Sequence, residues 1–387
     1  MSEPTTRPRE GPPERPAGDS RPALLGRSLA ELGELLAPIV DRPFRLRQIH
    51  HALHRRGASR FDELTDLPLA LRTVLGERFR VGQPEIVERR PADDGTVKYL
   101  LRLADGAGIE AVDIPAPEHA GGHHTLCISS QAGCALACAF CVTGYWGAGR
   151  DLDAGEIVGQ VLAVRREGAL PEALNVVFMG MGEPLLNVDA VETAVALMTG
   201  PLGLSPRRIT VSTSGIVPAI DRMAGWSRRP NLAVSLHAAD DALRSELMPI
   251  NRTHPLAELM AALRRFPLDK GRRLTIEYVL IRGVNDAPRQ ADGLASLLAG
   301  LPAKVNLIPI NPDPVLGAAM VPPGEAAVDA FHRRLKGHGL ISTVRRPRGD
   351  DVSAACGQLR AFAKPPRGFA GRALGDGFRG SRETTRA

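Results

Sequence analysis

The chain is poor in aromatic residues, which make up 4% of it as two Trp, three Tyr and ten Phe. Its core must therefore rest on Leu, Val, Ile and Ala. Long apolar runs are missing too: the longest stretches, such as 175–181, are interrupted by Gly and Glu, which excludes a bilayer-spanning helix. The first residues, with Ser2, Glu3, Pro4, Thr5 and Arg7, hold no apolar stretch. That pattern is not a secretory signal and leads to the expectation of a soluble, cytoplasmic protein. Cysteine is scarce and odd in number, five in 387 residues. Such a count argues against a secreted disulfide scaffold and for metal or redox chemistry.

Hydrophobic residues are 43% and charged residues 24% of the chain, enough for one large core and a smaller satellite domain. The net charge is +6, compatible with a polyanionic partner without requiring one. The arrangement of the charges says more. Residues 1–25, rich in Pro, Arg, Glu and Gly, read as a disordered leader, and residues 364–387 as a disordered basic tail. From Ser28, placed as an N-cap, Leu29, Leu32, Leu35 and Leu36 recur at helical spacing. A second helix follows Pro43 and a third covers 69–79. Short strands are expected at 86–88, 97–103 and 109–114, giving a small N-terminal α+β domain over 26–115.

Strand, loop and helix then alternate through residues 116–363. Strands are expected at 125–129, 175–180, 208–213, 232–237, 274–281, 304–310 and 342–345. Helices are expected at 154–166, 188–198, 218–225, 255–266, 290–299 and 325–338. This rhythm means βα units and a parallel sheet. In a parallel barrel the chemistry collects on loops at the C-terminal ends of the strands.

Four of the five cysteines crowd together: Cys127, then Cys134, Cys138 and Cys141 in a Cys-x3-Cys-x2-Cys run, with Cys356 far downstream. Three thiolates on one loop can converge on one centre. Zinc structural sites and ordinary iron–sulfur clusters take four protein ligands. Three leave a coordination site open for an exogenous ligand. The alternatives are a zinc site completed by Cys127, His123 or His124, and a CxxC redox pair at Cys138 and Cys141. Gly180-Met-Gly-Glu-Pro184, after an apolar strand, is a turn at which glycine lets the backbone approach a ligand. Cys356 sits among Gly349, Asp350, Asp351 and Gly357, a polar setting poorly suited to core packing.

Those residues and their neighbours resemble the radical S-adenosylmethionine RNA adenine methyltransferases of the RlmN/Cfr family. The likeness runs from about Ser28 to Leu359. Pro43-Phe-Arg-Leu-Arg-Gln48, Thr125-Leu-Cys-Ile-Ser-Ser-Gln-Ala-Gly-Cys134, Phe178-Met-Gly-Met-Gly-Glu-Pro-Leu-Leu-Asn187, Val211-Ser-Thr-Ser-Gly215, Val305-Asn-Leu-Ile-Pro-Ile-Asn311 and Arg348-Gly-Asp-Asp-Val-Ser-Ala-Ala-Cys-Gly-Gln-Leu359 carry it. The sequence departs from the family where Ala148 and Asp151 replace the usual Phe and Asn, and the insert at 118–124 is slightly long.

The resemblance implies an α/β fold, a partial (β/α)6 radical-SAM barrel behind the N-terminal domain. It implies a [4Fe-4S] cluster on Cys134, Cys138 and Cys141, and S-adenosylmethionine, used twice per turnover, against Gly182, Glu183, Ser212, Ser235, Leu236, His237 and Asn311. Cys356 would carry the transferred methyl group, Glu110 would accept a proton, and Cys127 would release the product through a transient disulfide with Cys356. The implied reaction is methylation at adenine C2 in 23S rRNA and tRNA, with C8 methylation or a zinc-stabilised RNA-binding protein as alternatives. A reductant such as flavodoxin is implied, and a monomer is expected. Candidate RNA contacts are Arg45, Arg47, His50, His51, His54, Arg55 and Arg56 on the second helix, with Arg207–Arg208, Arg272–Arg273 and the Arg345–Arg346–Pro347–Arg348 stretch around the barrel.

Overall fold

The computed structural model describes residues 19–116, 123–168, 170–171, 174–345, 348–349 and 351–359. Most of the insert at 118–124, Arg346 and the tail lie outside them.

Three helices open the described chain: α1 (Leu29–Leu36), α2 (Pro43–His51) and α3 (Leu69–Arg78). Ser28 and Glu31 cap α1 reciprocally, each side chain bonding the other's backbone N–H, a device whose loss costs about 1 kcal/mol. The expected leader does not reach residue 25. Leu24 and Leu25 are buried, and their N–H groups donate to the carbonyls of Arg80 and Val81. Two leucines anchor a segment whose composition otherwise reads as solvated.

Strands β1 (Glu85–Pro91), β2 (Val97–Arg102) and β3 (Gly108–Ile114) form an antiparallel meander. β3 then pairs antiparallel with β4 (His124–Cys127), Val112 opposite Cys127. From β4 on, every pairing is parallel, through β5 (Leu174–Phe178), β6 (Ile209–Thr213), β7 (Asn231–Ser235), β8 (Leu274–Leu280), β9 (Ala303–Pro309) and β10 (Ile341–Val344). The ten strands thus make one sheet in sequence order, and the meander extends the barrel sheet.

The helices between are α4 (Val142–Tyr145), α5 (Ala154–Arg166), α6 (Val188–Thr199), α7 (Val217–Ala224), α8 (Asp241–Leu247), α9 (Leu256–Arg265), α10 (Pro288–Leu297) and α11 (Glu325–Gly337). Every residue of α5 from Gly155 to Val164 is buried, because the N-terminal segment lies over it. Gly26 and Gly155 meet backbone to backbone, and a Cβ on either would collide with the other segment. One apolar cluster consequently runs from Leu24 through both regions to Leu359. A second, smaller one packs Ala139, Val142 and Tyr145 against Leu247, Met248, Val279 and Ile310, seating the cysteine loop on α8 and on the loops after β8 and β9. Among the described residues, no helix is long and apolar enough to cross a membrane.

Candidate active site

The cysteine loop leaves the C-terminal end of β4. The N–H of Cys134 donates to the carbonyl of Gly147 at 2.9 Å, that of Ala139 to Leu247 at 2.9 Å, and that of Cys141 to Cys138 at 3.2 Å. Ala137 adopts a left-handed φ of 51°, turning the chain so that both following thiols face inward. Cys134, Cys138 and Cys141 line one cavity of about 170 Å³, and all five cysteines are free thiols. Among the described residues, no three His, Cys, Asp or Glu side chains gather tightly enough to hold a single metal ion. Three thiols at one cavity fall one short of the four protein ligands of a structural zinc and would leave one iron of a cluster open to an exogenous ligand. Burial pushes the Cys134 thiol up to about 12, and it also raises that of Cys138, aided by the thiols of Cys141 and Cys134. Metal binding must therefore displace protons here.

The same cavity is lined by Gly182, Glu183, Ser212, Ser235, His237, Asn311 and Cys356. These residues come from the ends of five different strands or their loops. Gly182 has φ 97°, and a Cβ there would stand 2.5 Å from that of Gln131, so only glycine lets this turn close on the neighbouring strand. The carboxylate of Glu183 is buried and held by three donors: the N–H of Leu185 at 3.0 Å, the N–H of Ser214 at 2.7 Å and the Ser214 hydroxyl at 2.8 Å. Burial raises its proton affinity and these donors lower it.

His237 is buried at a left-handed φ of 60°. The Asn285 amide, donating to its carbonyl at 2.8 Å, holds it there. The N–H of Val279 donates to Nδ1 at 3.0 Å, and burial, with nearby Arg244, pushes the ring down to about 3. The imidazole is neutral with its proton on Nε2, leaving a donor for the cavity. Asn311 gives its amide N–H to the carbonyl of Cys356 at 3.3 Å, while its buried Oδ1 has no partner among the described residues. That orphaned acceptor fits a site built for a polar ligand. Leu236 is the exception: fully buried, it acts through its carbonyl, which accepts from Arg244.

Cys356 is half-buried on a loop stitched to both sides of the barrel mouth. Toward the cysteine loop, the N–H of Val142 donates to Gly357 at 2.6 Å and the Thr143 hydroxyl to Leu359 at 2.7 Å. Toward the meander, Arg348 pairs with Asp94 at 2.7 Å and Lys98 donates to the Ser353 carbonyl at 3.1 Å. Cys127 lies in the wall behind. Burial, then the neighbouring Cys356, push its thiol up to about 12, against the pull of Arg345. Glu110 does not line the cavity. It is buried on the Cys127 face of β3 and paired with Lys98 at 3.4 Å.

The basic residues fall into separate places. His54 is fully buried, accepting from the N–H of Gly26 at 3.1 Å and bonded to the carbonyl of His50 at 3.0 Å, so it is no phosphate contact. Arg55 caps the carbonyl of Leu202, and Arg56 pairs with Asp66. Arg47 and His51 stay exposed. Arg207–Arg208 and Arg272–Arg273 precede β6 and β8, at the opposite mouth of the barrel from Cys356. Arg345 turns inward between Cys356, Glu277 and Cys127. Ser214, Lys98 and Arg244 were not singled out from sequence. Ser214 lies inside the Val211–Gly215 run, and Arg244 occupies the apolar side of α8 with Leu247.

A cysteine trio on the loop after the first parallel strand, facing a cavity ringed by strand ends, defines a radical S-adenosylmethionine enzyme. Residues 128–292 match the model of the Radical SAM superfamily, and residues 23–81 that of the Ribosomal RNA large subunit methyltransferase N-terminal domain. The chain is 46% identical to the Dual-specificity RNA methyltransferase RlmN of Anaeromyxobacter dehalogenans, covering 92% of this chain and 97% of that one. It is 49% identical to the protein of the same name from Halorhodospira halophila, over 87% and 92%. A crystal structure of a radical SAM methyltransferase from Sphaerobacter thermophilus superposes with a TM-score of 0.82 at 45% identity, covering 88% of this chain and all of that one. The chain belongs to the RlmN family of S-adenosylmethionine-dependent RNA methyltransferases. The superfamily implies a [4Fe-4S] cluster and S-adenosylmethionine.

Proposed function

We propose that the protein methylates C2 of an adenine in 23S rRNA and of an adenine in tRNA, through a methyl group carried on Cys356. The observation that supports this reading is that Cys356 lines the same cavity as Cys134, Cys138 and Cys141. A methyl group on its sulfur would therefore stand beside the cofactor. The relatives' printed name, dual-specificity RNA methyltransferase, supports two kinds of RNA substrate.

Cys134, Cys138 and Cys141 would hold the cluster, and Glu183, Ser214, His237 and Asn311 would grip S-adenosylmethionine. Cys356 takes the methyl group from one molecule of it. When bound, the cluster and a second molecule would supply one-electron radical chemistry at the methyl on Cys356; adenine carbons are electrophilic, so radical addition avoids a polarity mismatch. Glu110 would accept the proton lost from the ring while the unpaired electron of the adduct returns to the cluster. The Cys127 thiolate would then attack the sulfur of Cys356, the bond from that sulfur to the ring-borne carbon would break, and the carbon would take up a proton as the new methyl group, leaving a disulfide between the two cysteines. A low-potential donor such as flavodoxin would supply electrons, and the chain would act as a monomer, with the α2 surface touching RNA.

The test is anaerobic reconstitution with iron, sulfide and dithionite, followed by chromatography and mass spectrometry of nucleosides from treated rRNA and tRNA. 2-Methyladenosine from both is the expected result. 8-Methyladenosine, or product from only one RNA, would overturn the corresponding part. A zinc-loaded protein without 5′-deoxyadenosine production would overturn the whole.

A further inference from the structure

Arg244 is fully buried and heads the largest side chains without exposure among the described residues. Its guanidinium makes four hydrogen bonds. Nη1 donates to Asn251 Oδ1 at 2.6 Å, Nη2 to the carbonyls of Ser214 at 2.7 Å and Ser235 at 3.2 Å, and Nε to the carbonyl of Leu236 at 3.2 Å. Every one of these acceptors is neutral. A buried cation normally sits against a carboxylate, because removing it from water is costly. The acid whose charge supports it is Asp241, exposed to solvent and reached only through Asn251, whose amide donates to Asp241 Oδ1 at 2.9 Å. Among the described residues, this fixed positive charge has no anion in contact.

Its surroundings are those of the cofactor. Ser214 bridges Arg244 to Glu183, giving its carbonyl to the first and its N–H and hydroxyl to the second. Ser235 lines the cavity. Leu247, on the same helix as Arg244, accepts from Ala139 of the cysteine loop. The strongest favourable electrostatic neighbour of the guanidinium is Cys138.

We propose that Arg244 is a positioning residue for the iron–sulfur centre, whose fixed positive charge offsets the negative charge of the thiolate-bound cluster and eases its one-electron reduction. The proposal rests on Cys134, Cys138 and Cys141 holding that cluster. The electron comes from an external low-potential one-electron donor and enters the cluster. No covalent bond forms or breaks, Arg244 keeps its proton, and the centre gains one negative charge. Net charge near a cluster is among the factors that set its potential. The four hydrogen bonds also tie together the loops after β6 and β7, so geometry and charge must be separated experimentally.

The full-length protein, reconstituted anaerobically and checked for iron and sulfide content, is titrated with dithionite under EPR without S-adenosylmethionine or RNA. R244Q removes the charge and is expected to make reduction about tenfold less favourable, about 59 mV for one electron. R244K keeps the charge and should stay close to the parent. The paired exchange D241N/N251D keeps net charge and side-chain shape but moves a carboxylate from the surface onto the guanidinium, and should also lower the potential. The exchange decides the matter if R244Q does not fold. Unchanged potentials in R244Q and in the exchange, or an R244K protein shifted as far as R244Q, would overturn the role of the charge. A parent protein loaded with zinc and no sulfide would instead overturn the reading of the cysteines, and is recognised before any titration.

Discussion

Nζ of Lys98 stands 3.4 Å from Oε1 of Glu110, with both side chains almost wholly out of solvent, and the same ammonium donates to the carbonyl of Ser353. One cation thereby joins the proposed proton acceptor on β3 to the loop that carries Cys356. Breaking a buried pair by removing one partner costs about 3–5 kcal/mol, whereas replacing both by apolar residues is often neutral. K98M should therefore lower unfolding stability by that amount in urea titrations. K98M/E110L should recover most of it while leaving RNA methylation abolished. A loss below about 1 kcal/mol in K98M would mean the pair is not the buried contact described.

The thiols divide by function. C134A, C138A and C141A should each lose most cluster iron in a colorimetric assay and fail to make 5′-deoxyadenosine. C356A should retain its iron and yield no methylated RNA. C127A should accumulate a protein–RNA adduct visible as a retarded band on a denaturing gel. A C356A protein that still methylates RNA would sink the carrier role.

His54 sets an acid limit on stability. Burial, with His50 nearby, pushes its ring from 6.5 down to about 4, and both ring nitrogens are used in the neutral form. The folded state binds the proton less readily than the unfolded one, so this stability is complete above pH 6.5 and is lost as pH falls toward 4. The full span is worth about 3 kcal/mol. His237, pushed down to about 3, acts in the same direction. H54Q should flatten the fall in urea midpoint between pH 6.5 and 4.5 by roughly half. An unaltered slope would show that His54 titrates normally in the fold.

Charge on α2 and charge at the far mouth of the barrel should act differently. R45E/R47E, on α2, should weaken binding of tRNA and reduce the slope of log affinity against log salt by about two. R207E/R208E, at the far mouth, should change neither. Fluorescence anisotropy over a salt series reads both, and equal losses would place RNA on the wrong face.

Much of this architecture was legible because strands and helices alternate with clear periods. The helix expected at 154–166 is α5 to the residue, and the strand at 274–281 differs from β8 by its last position. Strands expected at 175–180 and 232–237 overran into the site loops, because Met179, in the cavity wall, and Leu236, buried beneath it, stay apolar beyond the last ladder pair. The joining of the meander to the barrel sheet was not legible, since pairing between β3 and β4 leaves no local pattern. The cysteines and Glu183 stood out by chemistry at strand ends, and the resemblance to the family pointed to His237. Arg244 did not stand out, and His54 passed for a phosphate contact, because a polar residue on a buried helix face looks like a solvated one until its acceptors are known. The far-mouth arginines could have been placed: each pair immediately precedes a strand, which puts it away from the C-terminal ends.

Two missing carbons set how closely the N-terminal layer lies on α5. Gly26 and Gly155 touch without side chains, so the N-terminal layer rests on α5 at the shortest separation a polypeptide allows. Any residue larger than glycine there would tilt that layer and carry Arg47 and His51 with it. On the proposed reading, the choice of which nucleotide reaches Cys356 is then a matter of leverage, fixed by a contact that touches neither RNA nor cofactor.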